Sequence, residues 1–340
     1  VADDAPPAEP KKPTARRVWI QRGLMALGLG LVAYMISRFP LSAIADACLD
    51  LGFWVFVTPL IGMCWFAASS TALYNLLEGK VPWRALMWNR FVGEGYNALI
   101  PAAGMGGEPF KLRQLTRFVD TQRAVVALIN DRLIENAIAL VFSALCVGIG
   151  QLYLDVSPSL RTTMVTYAIV ASLVAFVISI LMVTNLTGRI GGRITRWITG
   201  STEPPKKLPI LIIGRAFLWT LVARSLSLVE IALLFKLLAV EVTLTSVMFT
   251  GGALSAAGFV GGVIPQGLGV AEAASVGIFE LLHFPGPAGV AFALARRGRT
   301  LVMSVAGVLC HLAFGRRIAA AAARVDEEPS SAAVTDVPAS

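Results

Sequence analysis

The chain has 340 residues, of which 56% are hydrophobic and only 15% charged, with a mean hydropathy of +0.71 and a net charge of +8. Soluble domains run at roughly 45–50% apolar and about 25% charged, so a cytosolic enzyme, a secreted domain and a DNA-binding module are excluded as whole-chain readings. The charge-free runs Leu51–Leu77 and Thr162–Thr187 each exceed the ~20 residues that cross a bilayer, which makes this a polytopic membrane protein.

In chain order, residues 1–17 form a Pro-, Ala- and Asp-rich tail expected to be disordered. Lys11, Lys12, Arg16, Arg17 and Arg22 flank the apolar segment 18–37. No small-x-small cleavage site follows it, so it reads as an uncleaved first span rather than a signal peptide. Further spans are expected at 51–77, 124–150, 162–187, 208–238 and 288–314. Two segments, 85–118 and 242–284, are apolar but interrupted by Pro and Gly. Each is either a re-entrant hairpin or a pair of helices, and either way it enters and leaves on one side. Residues 316–340 form a second polar tail, leaving a membrane domain of 18–315.

Lysine and arginine count five in segment 1–22, seven in 78–123 and five in 185–209. The alternate loops 38–50, 151–161 and 239–247 hold one, one and none. Positive charge is retained on the cytoplasmic side, so the asymmetry places both termini there. It also explains the net positive charge without nucleic acid.

The two broken segments share a pattern. Ile100-Pro101 is followed by six residues, including Gly104, Gly106 and Gly107, and then by Glu108. Ile264-Pro265 is followed by six residues, including Gly267 and Gly269, and then by Glu272. An arginine lies 24 positions beyond each glutamate, at Arg132 and Arg296. Three spans separate the copies, so the second is inverted, with repeat 1 at about 18–154 and repeat 2 at about 160–315. The expected fold is therefore all-α: a polytopic helix bundle with an inverted internal repeat and two Pro/Gly-broken or re-entrant hairpins. Paired broken helices of this kind point to a transport site near the midplane, because irregular backbone at that depth must be buried or line a wet cavity.

Charged residues inside spans mark the same region. An arginine at a helix centre costs about 2.5–3.5 kcal/mol on insertion scales and is normally paired or facing water. Asp131 and Glu135 share a helix face, and Arg132 lies three residues before Glu135. Arg296, Arg297 and Arg299 have no acid within their own span, so an anion such as a lipid phosphate fits them; the alternative is snorkelling to the interface. Arg224 and Glu230 lie deep and six apart, and need partners on other helices. Lys111 and Arg113 follow the first break and are placed to guide a headgroup, whereas Arg117 and Arg123 read as anchors to anionic headgroups. Asn97, four residues before Pro101, can hydrogen-bond backbone freed by the break or touch substrate.

The four cysteines lie far apart, without a CxxC, and the two histidines, His283 and His311, form no HExxH. Neither a disulfide framework nor a metal site is expected, and no cofactor. No polar segment exceeds about 25 residues, so no soluble catalytic domain and no catalytic residue is assigned. A GxxxxGK[ST] loop is missing from the sequence, so movement of any substrate would be downhill or ion-coupled.

Asn97, Pro101, Gly106-Gly107-Glu108, the basic residues after them and Asp131-Arg132 resemble the first signature of the lysylphosphatidylglycerol synthase transmembrane region family. Pro265, Gly267-Leu268-Gly269-Val270 and Glu272-Ala273 resemble its second, with Gln266 standing where a glycine is frequent. The resemblance spans about residues 18–315, and Arg90–Leu115 is similar to a hopanoid-associated group. It implies a flippase-like bacterial inner-membrane protein that translocates an anionic, aminoacylated or hopanoid-type lipid, without aminoacyl-transferase activity. On this reading Arg132 and Arg296 hold a phosphate between the repeats, and Glu108 and Glu272 pair with them or take a cationic part of the headgroup. Lys111, Arg113, Asp131, Arg297 and Asn97 complete the substrate site. Pro101, Gly104, Gly106 and Gly107, with Pro265, Gly267 and Gly269, serve as hinges and gates. Membrane lipids are the expected partners, together with lipid-synthesis enzymes or a second copy of the chain. The rival readings are an intramembrane lipid-processing enzyme using Glu108 and Glu272, and a non-transporting accessory subunit.

Overall fold

A computed structural model describes residue 37 and residues 39–99, 106–153, 156–184, 186–199, 208–261 and 267–327. Among them there are eleven α-helices and no strand. They are α1 (Leu41–Leu51), α2 (Val57–Leu76), α3 (Trp83–Leu99), α4 (Glu108–Leu115), α5 (Thr121–Tyr153) and α6 (Pro158–Val183). The chain continues with α7 (Leu186–Thr199), α8 (Ile210–Leu237), α9 (Leu244–Gly261), α10 (Val270–Leu281) and α11 (Gly286–Glu327).

Four helical stretches are long and apolar enough to cross a membrane: Phe53–Leu76, Thr121–Tyr153, Pro158–Met182 and Ile210–Leu237. They coincide with the expected spans 51–77, 124–150, 162–187 and 208–238. The expected span 288–314 lies within α11, where Arg296, Arg297 and Arg299 make it far less apolar. The expected span 18–37 lies, apart from Ser37, outside the described residues. Helix α11 also runs on past residue 315, to Glu327.

Two helices occupy segments expected to be loops. Helix α1 lies in the expected loop 38–50; Ile44 and Leu51, two turns apart, are buried and seat it against α11 and α8. Helix α7 lies within the basic segment 185–209 and packs on α5 and α6.

Each broken segment is a helix followed by a shorter one. Helices α4 and α10, of 8 and 12 residues, rise about 12 and 18 Å at 1.5 Å per residue. Neither can cross the roughly 30 Å of a hydrocarbon core. The segments are therefore hairpins with one long and one short arm, not pairs of full spans.

The helices pack crosswise. Helix α2 lies along α8, the long arm α3 packs on α11, and the long arm α9 packs on α5. Close backbone approach makes both crossings possible. A Cβ on Gly307 would stand 2.6 Å from the Phe91 carbonyl oxygen, and one on Gly252 would stand 2.5 Å from the Cys146 Cβ. Small residues at crossings are how membrane helices gain packing where lipid offers no hydrophobic contrast.

Two apolar cores flank the centre. One joins Leu73, Leu76, Leu86, Leu115, Ile134 and Ile138. The other is aromatic: Phe279 meets Phe235 and Phe292 at ring-centroid distances of 5.4 and 5.3 Å. Helix α6 buries Ala171 and Ala175 and exposes Ile169, Leu173 and Phe176, the face expected to meet lipid.

Candidate functional site

The first charged group is built on α3, α4 and α5. Arg90, Glu94 and Asn97 follow one another at intervals of four and three, and so share a face of α3. Arg90 Nη2 lies 2.6 Å from Asp131 Oδ2 and donates to the Ser69 carbonyl at 3.3 Å. Lys111 Nζ bridges Glu94 Oε1 at 2.7 Å and Glu108 Oε1 at 3.2 Å. Arg132 grips Glu108 Oε1 through Nη2 and Nε, at 2.6 and 3.1 Å, and reaches Glu135 Oε2 through Nη1 at 3.1 Å. The three cations Arg90, Lys111 and Arg132 thus meet the four carboxylates Glu94, Glu108, Asp131 and Glu135, and every one of the seven is paired.

Backbone geometry holds this group together. A Cβ on Gly107 would fall 1.9 Å from the Gly93 carbonyl oxygen, so only glycine lets the short arm fold this tightly onto the long one. The Gly107 N–H donates to Asn97 Oδ1 at 2.7 Å, and Asn97 Nδ2 donates to Glu94 Oε2 at 3.1 Å. Asn97 thus ties the backbone at the start of the short arm to the long one. Asn89 Nδ2 adds a bond to the Lys111 carbonyl at 2.9 Å. Nearby, His311 on α11 stacks edge-on with Tyr96 and Phe110, at 5.7 and 5.0 Å.

The second group is built on α8, α10 and α11. Gly269 has φ +83°, a turn open to glycine, and its N–H donates to Glu272 Oε2 at 2.8 Å. This is half of a capping box at the start of α10. The other oxygen, Oε1, takes Arg297 Nε at 2.7 Å. Arg299 Nη1 pairs with Glu230 Oε2 at 3.1 Å, which supplies the partner on another helix that Glu230 requires. Arg296 pairs with none of these; its guanidinium lies over the Phe292 ring at 5.7 Å, and its Nε is buried without a hydrogen-bond partner. Arg224 likewise has no carboxylate within 4.0 Å among the described residues.

These side chains surround a cavity of about 250 Å³ walled by α8, α9, α10 and α11, with Phe142 of α5. Arg224, Arg296, Arg297 and Arg299 line it with Glu272, and Glu230 lies behind Arg299. Four guanidinium groups against two carboxylates leave an excess of two positive charges. Ser227, Ser255, Ser275 and Thr300 also line it, the last three donating their hydroxyls to the carbonyls of Gly251, Ala271 and Arg296 one turn back. A second cavity of about 230 Å³ adjoins it and shares Ser227, Arg299 and Thr300. Its remaining wall includes Trp65, Phe66, Met303 and Glu94 of the first group.

Of the residues proposed from sequence, Glu108, Lys111, Asp131, Arg132 and Asn97 come together in the first group, and Glu272, Arg296 and Arg297 in the second. Glu272 and Arg296 line the first of these two cavities, whereas Glu108 and Arg132 line neither of them. Arg113 is exposed, outside the first group. Gly106 and Gly107 form the turn before α4, and Gly267 (φ +57°) and Gly269 the turn before α10. Pro101, Gly104, Pro265 and Gln266 lie outside the described residues. The residues that sequence reasoning passed over are Arg90, Glu94 and Ser227. The interval of four and then three from Arg90 through Glu94 to Asn97 could have found the first two; Ser227 carries no such signal. No group of three or more His, Cys, Asp or Glu side chains that could hold a metal exists among the described residues.

An all-helical membrane protein with a charged interior and two glycine-turned hairpins is the class these features define. The chain belongs to the lysylphosphatidylglycerol synthase TM region family, whose profile it matches over residues 23–307. No curated protein and no solved structure matches it.

Proposed function

We propose that this protein is a lipid transporter of the flippase type, moving a lipid with an anionic headgroup between leaflets through the paired cavities. The observation that carries the reading is the excess of two positive charges around the first cavity. Uncompensated buried cations are costly, and guanidinium groups donate bidentately to phosphate oxygens. The headgroup phosphate is assigned to Arg224 and Arg296, which make no carboxylate ion pair within 4.0 Å among the described residues. Arg132 is held by Glu108 and Glu135, and is assigned to bracing the first hairpin. The second cavity, reaching Glu94, supplies the path onward.

Membership of the family and the membrane-spanning helices agree with a lipid-related role. The crosswise exchange, α3 on α11 and α9 on α5, supports the inverted repeat. The lysine and arginine asymmetry supports cytoplasmic termini, and a bacterial inner-membrane location belongs to the same proposal. Transport is preferred to intramembrane catalysis because Glu108 and Glu272 are each engaged by an arginine, in separate groups. The hopanoid-type lipids remain within this proposal as substrates, and lipid-synthesis enzymes as partners.

The test is the accessibility of headgroup-labelled phospholipids to a membrane-impermeant quencher in proteoliposomes. Native protein is expected to equilibrate an anionic phospholipid between leaflets. Arg224→Ala and Arg296→Ala are each expected to slow it at least tenfold while the protein stays monodisperse. Native rates in both folded variants would reject the assigned phosphate site. An inactive native protein across several anionic lipids would reject transport itself.

A further inference from the structure

Helix α7 stands outside the cavities and outside the spans. At 100° per residue its 14 residues present three distinct faces. Gly188 and Gly191 are buried, and a Cβ on Gly191 would meet the Val126 Cγ2 of α5 at 2.6 Å. Ile190 and Ile194, one turn apart, form an exposed apolar flank. Arg189, Arg193 and Arg196, at intervals of four and three, form an exposed basic stripe. None of the three has a carboxylate within 4.0 Å among the described residues. Val126 lies one turn beyond Arg123 at the start of α5, so α7 sits at the end of the bundle where basic residues gather.

We propose that α7 is a headgroup-layer helix that enriches anionic phospholipid around the protein, its arginine stripe contacting lipid phosphates while Ile190 and Ile194 enter the acyl boundary. A helix with one flank apolar and the other basic lies in the plane of the interface, and each basic residue near an anionic surface contributes attraction there. A soluble acidic partner would satisfy the arginines but leave the isoleucines in water. Lipid satisfies both, and it is already what the exposed face of the neighbouring α6 is built to meet. This inference does not depend on transport.

The experiment uses the full chain in mixed micelles, with spin-labelled phosphatidylglycerol and phosphatidylcholine as probes, and reads the ratio of protein-immobilised to free lipid for each. Native protein is expected to favour phosphatidylglycerol at low salt, and the preference to fall as salt rises. The triple variant Arg189→Gln, Arg193→Gln, Arg196→Gln should lose at least about fivefold of that preference, the worth of a single basic contact. The corresponding triple lysine variant should keep it, and Arg161→Gln, an exposed arginine elsewhere, should leave it unchanged. An unchanged preference in the glutamine variant, shown folded by its unfolding temperature, overturns the proposal. So does an equal loss with Arg161→Gln, or displacement of the lipid by polyglutamate at matched charge. If the triple variant does not fold, Arg193→Gln alone is read against native protein, and the same two directions apply.

Discussion

The Arg90–Asp131 pair gives the sharpest test of how the charged interior is held. The two groups meet at 2.6 Å with side-chain exposures of 4% and 10%, so neither can turn to solvent when the other is removed. With charge centres about 4 Å apart and an effective dielectric near 20, their attraction is about 4 kcal/mol. Deleting one partner of such a pair costs about 3–5 kcal/mol, because the survivor is left buried and uncompensated. Arg90→Met also forfeits the bond to the Ser69 carbonyl, worth about 1 kcal/mol. Asp131→Leu should cost a similar amount. The double variant should cost far less than the sum, since it replaces both charges with apolar groups of related size. Reversible unfolding in mixed micelles would measure all three. Additive losses, or a loss below about 1 kcal/mol for Arg90→Met, would refute the claim that this pair is a mutually dependent unit.

Gly107→Ala places a methyl group 1.9 Å from the Gly93 carbonyl oxygen, so the first hairpin must open. The expected outcome is loss of monodisperse protein on size-exclusion chromatography. Gly148→Ala, whose Cβ would meet nothing within 4 Å, should be neutral or gain up to about 1 kcal/mol of helix propensity. Asn97→Ala removes the acceptor of a buried N–H and should cost about 1–3 kcal/mol. Asn97→Asp keeps an acceptor but sets a carboxylate against Glu94, and should destabilise as well; both are measured by thermal unfolding. Phe279→Ala, at the centre of the aromatic core, should cost about 3–5 kcal/mol in the same assay.

The long apolar helices were legible because length and hydropathy alone decide whether a segment can leave water. Glu108 and Glu272 were legible because each closes the same pattern of Ile-Pro and six glycine-containing residues in two copies. The pairing of Glu272 was not. Counting residues points to Arg296, but Arg296 and Arg297 differ by 100° around α11, and only the orientation of that helix decides which one faces Glu272. Arg297 does, and Arg296 turns toward Phe292. Helix α7 escaped notice because Gly188, Gly191 and Gly192 among arginines look like a loop until their angular positions are drawn. Arg90 and Glu94 were overlooked for the opposite reason: they lie before the conspicuous break, on the arm against which it folds.

Lys111 reaches the interior by crossing bare backbone. A Cβ on Gly93 would collide with its Cε at 2.4 Å and its Cγ at 2.7 Å, so the aliphatic stem of the lysine occupies the place of the missing side chain. Gly93 is thus a notch cut to the width of one extended lysine, and the ammonium emerges from it between two carboxylates. An alanine there would block the passage without touching any charge. A shorter basic residue at 111 would pass through the notch and stop short of Glu94. The electrostatics of the first group therefore depends on a groove measured in single methylenes, at residues 93 and 111.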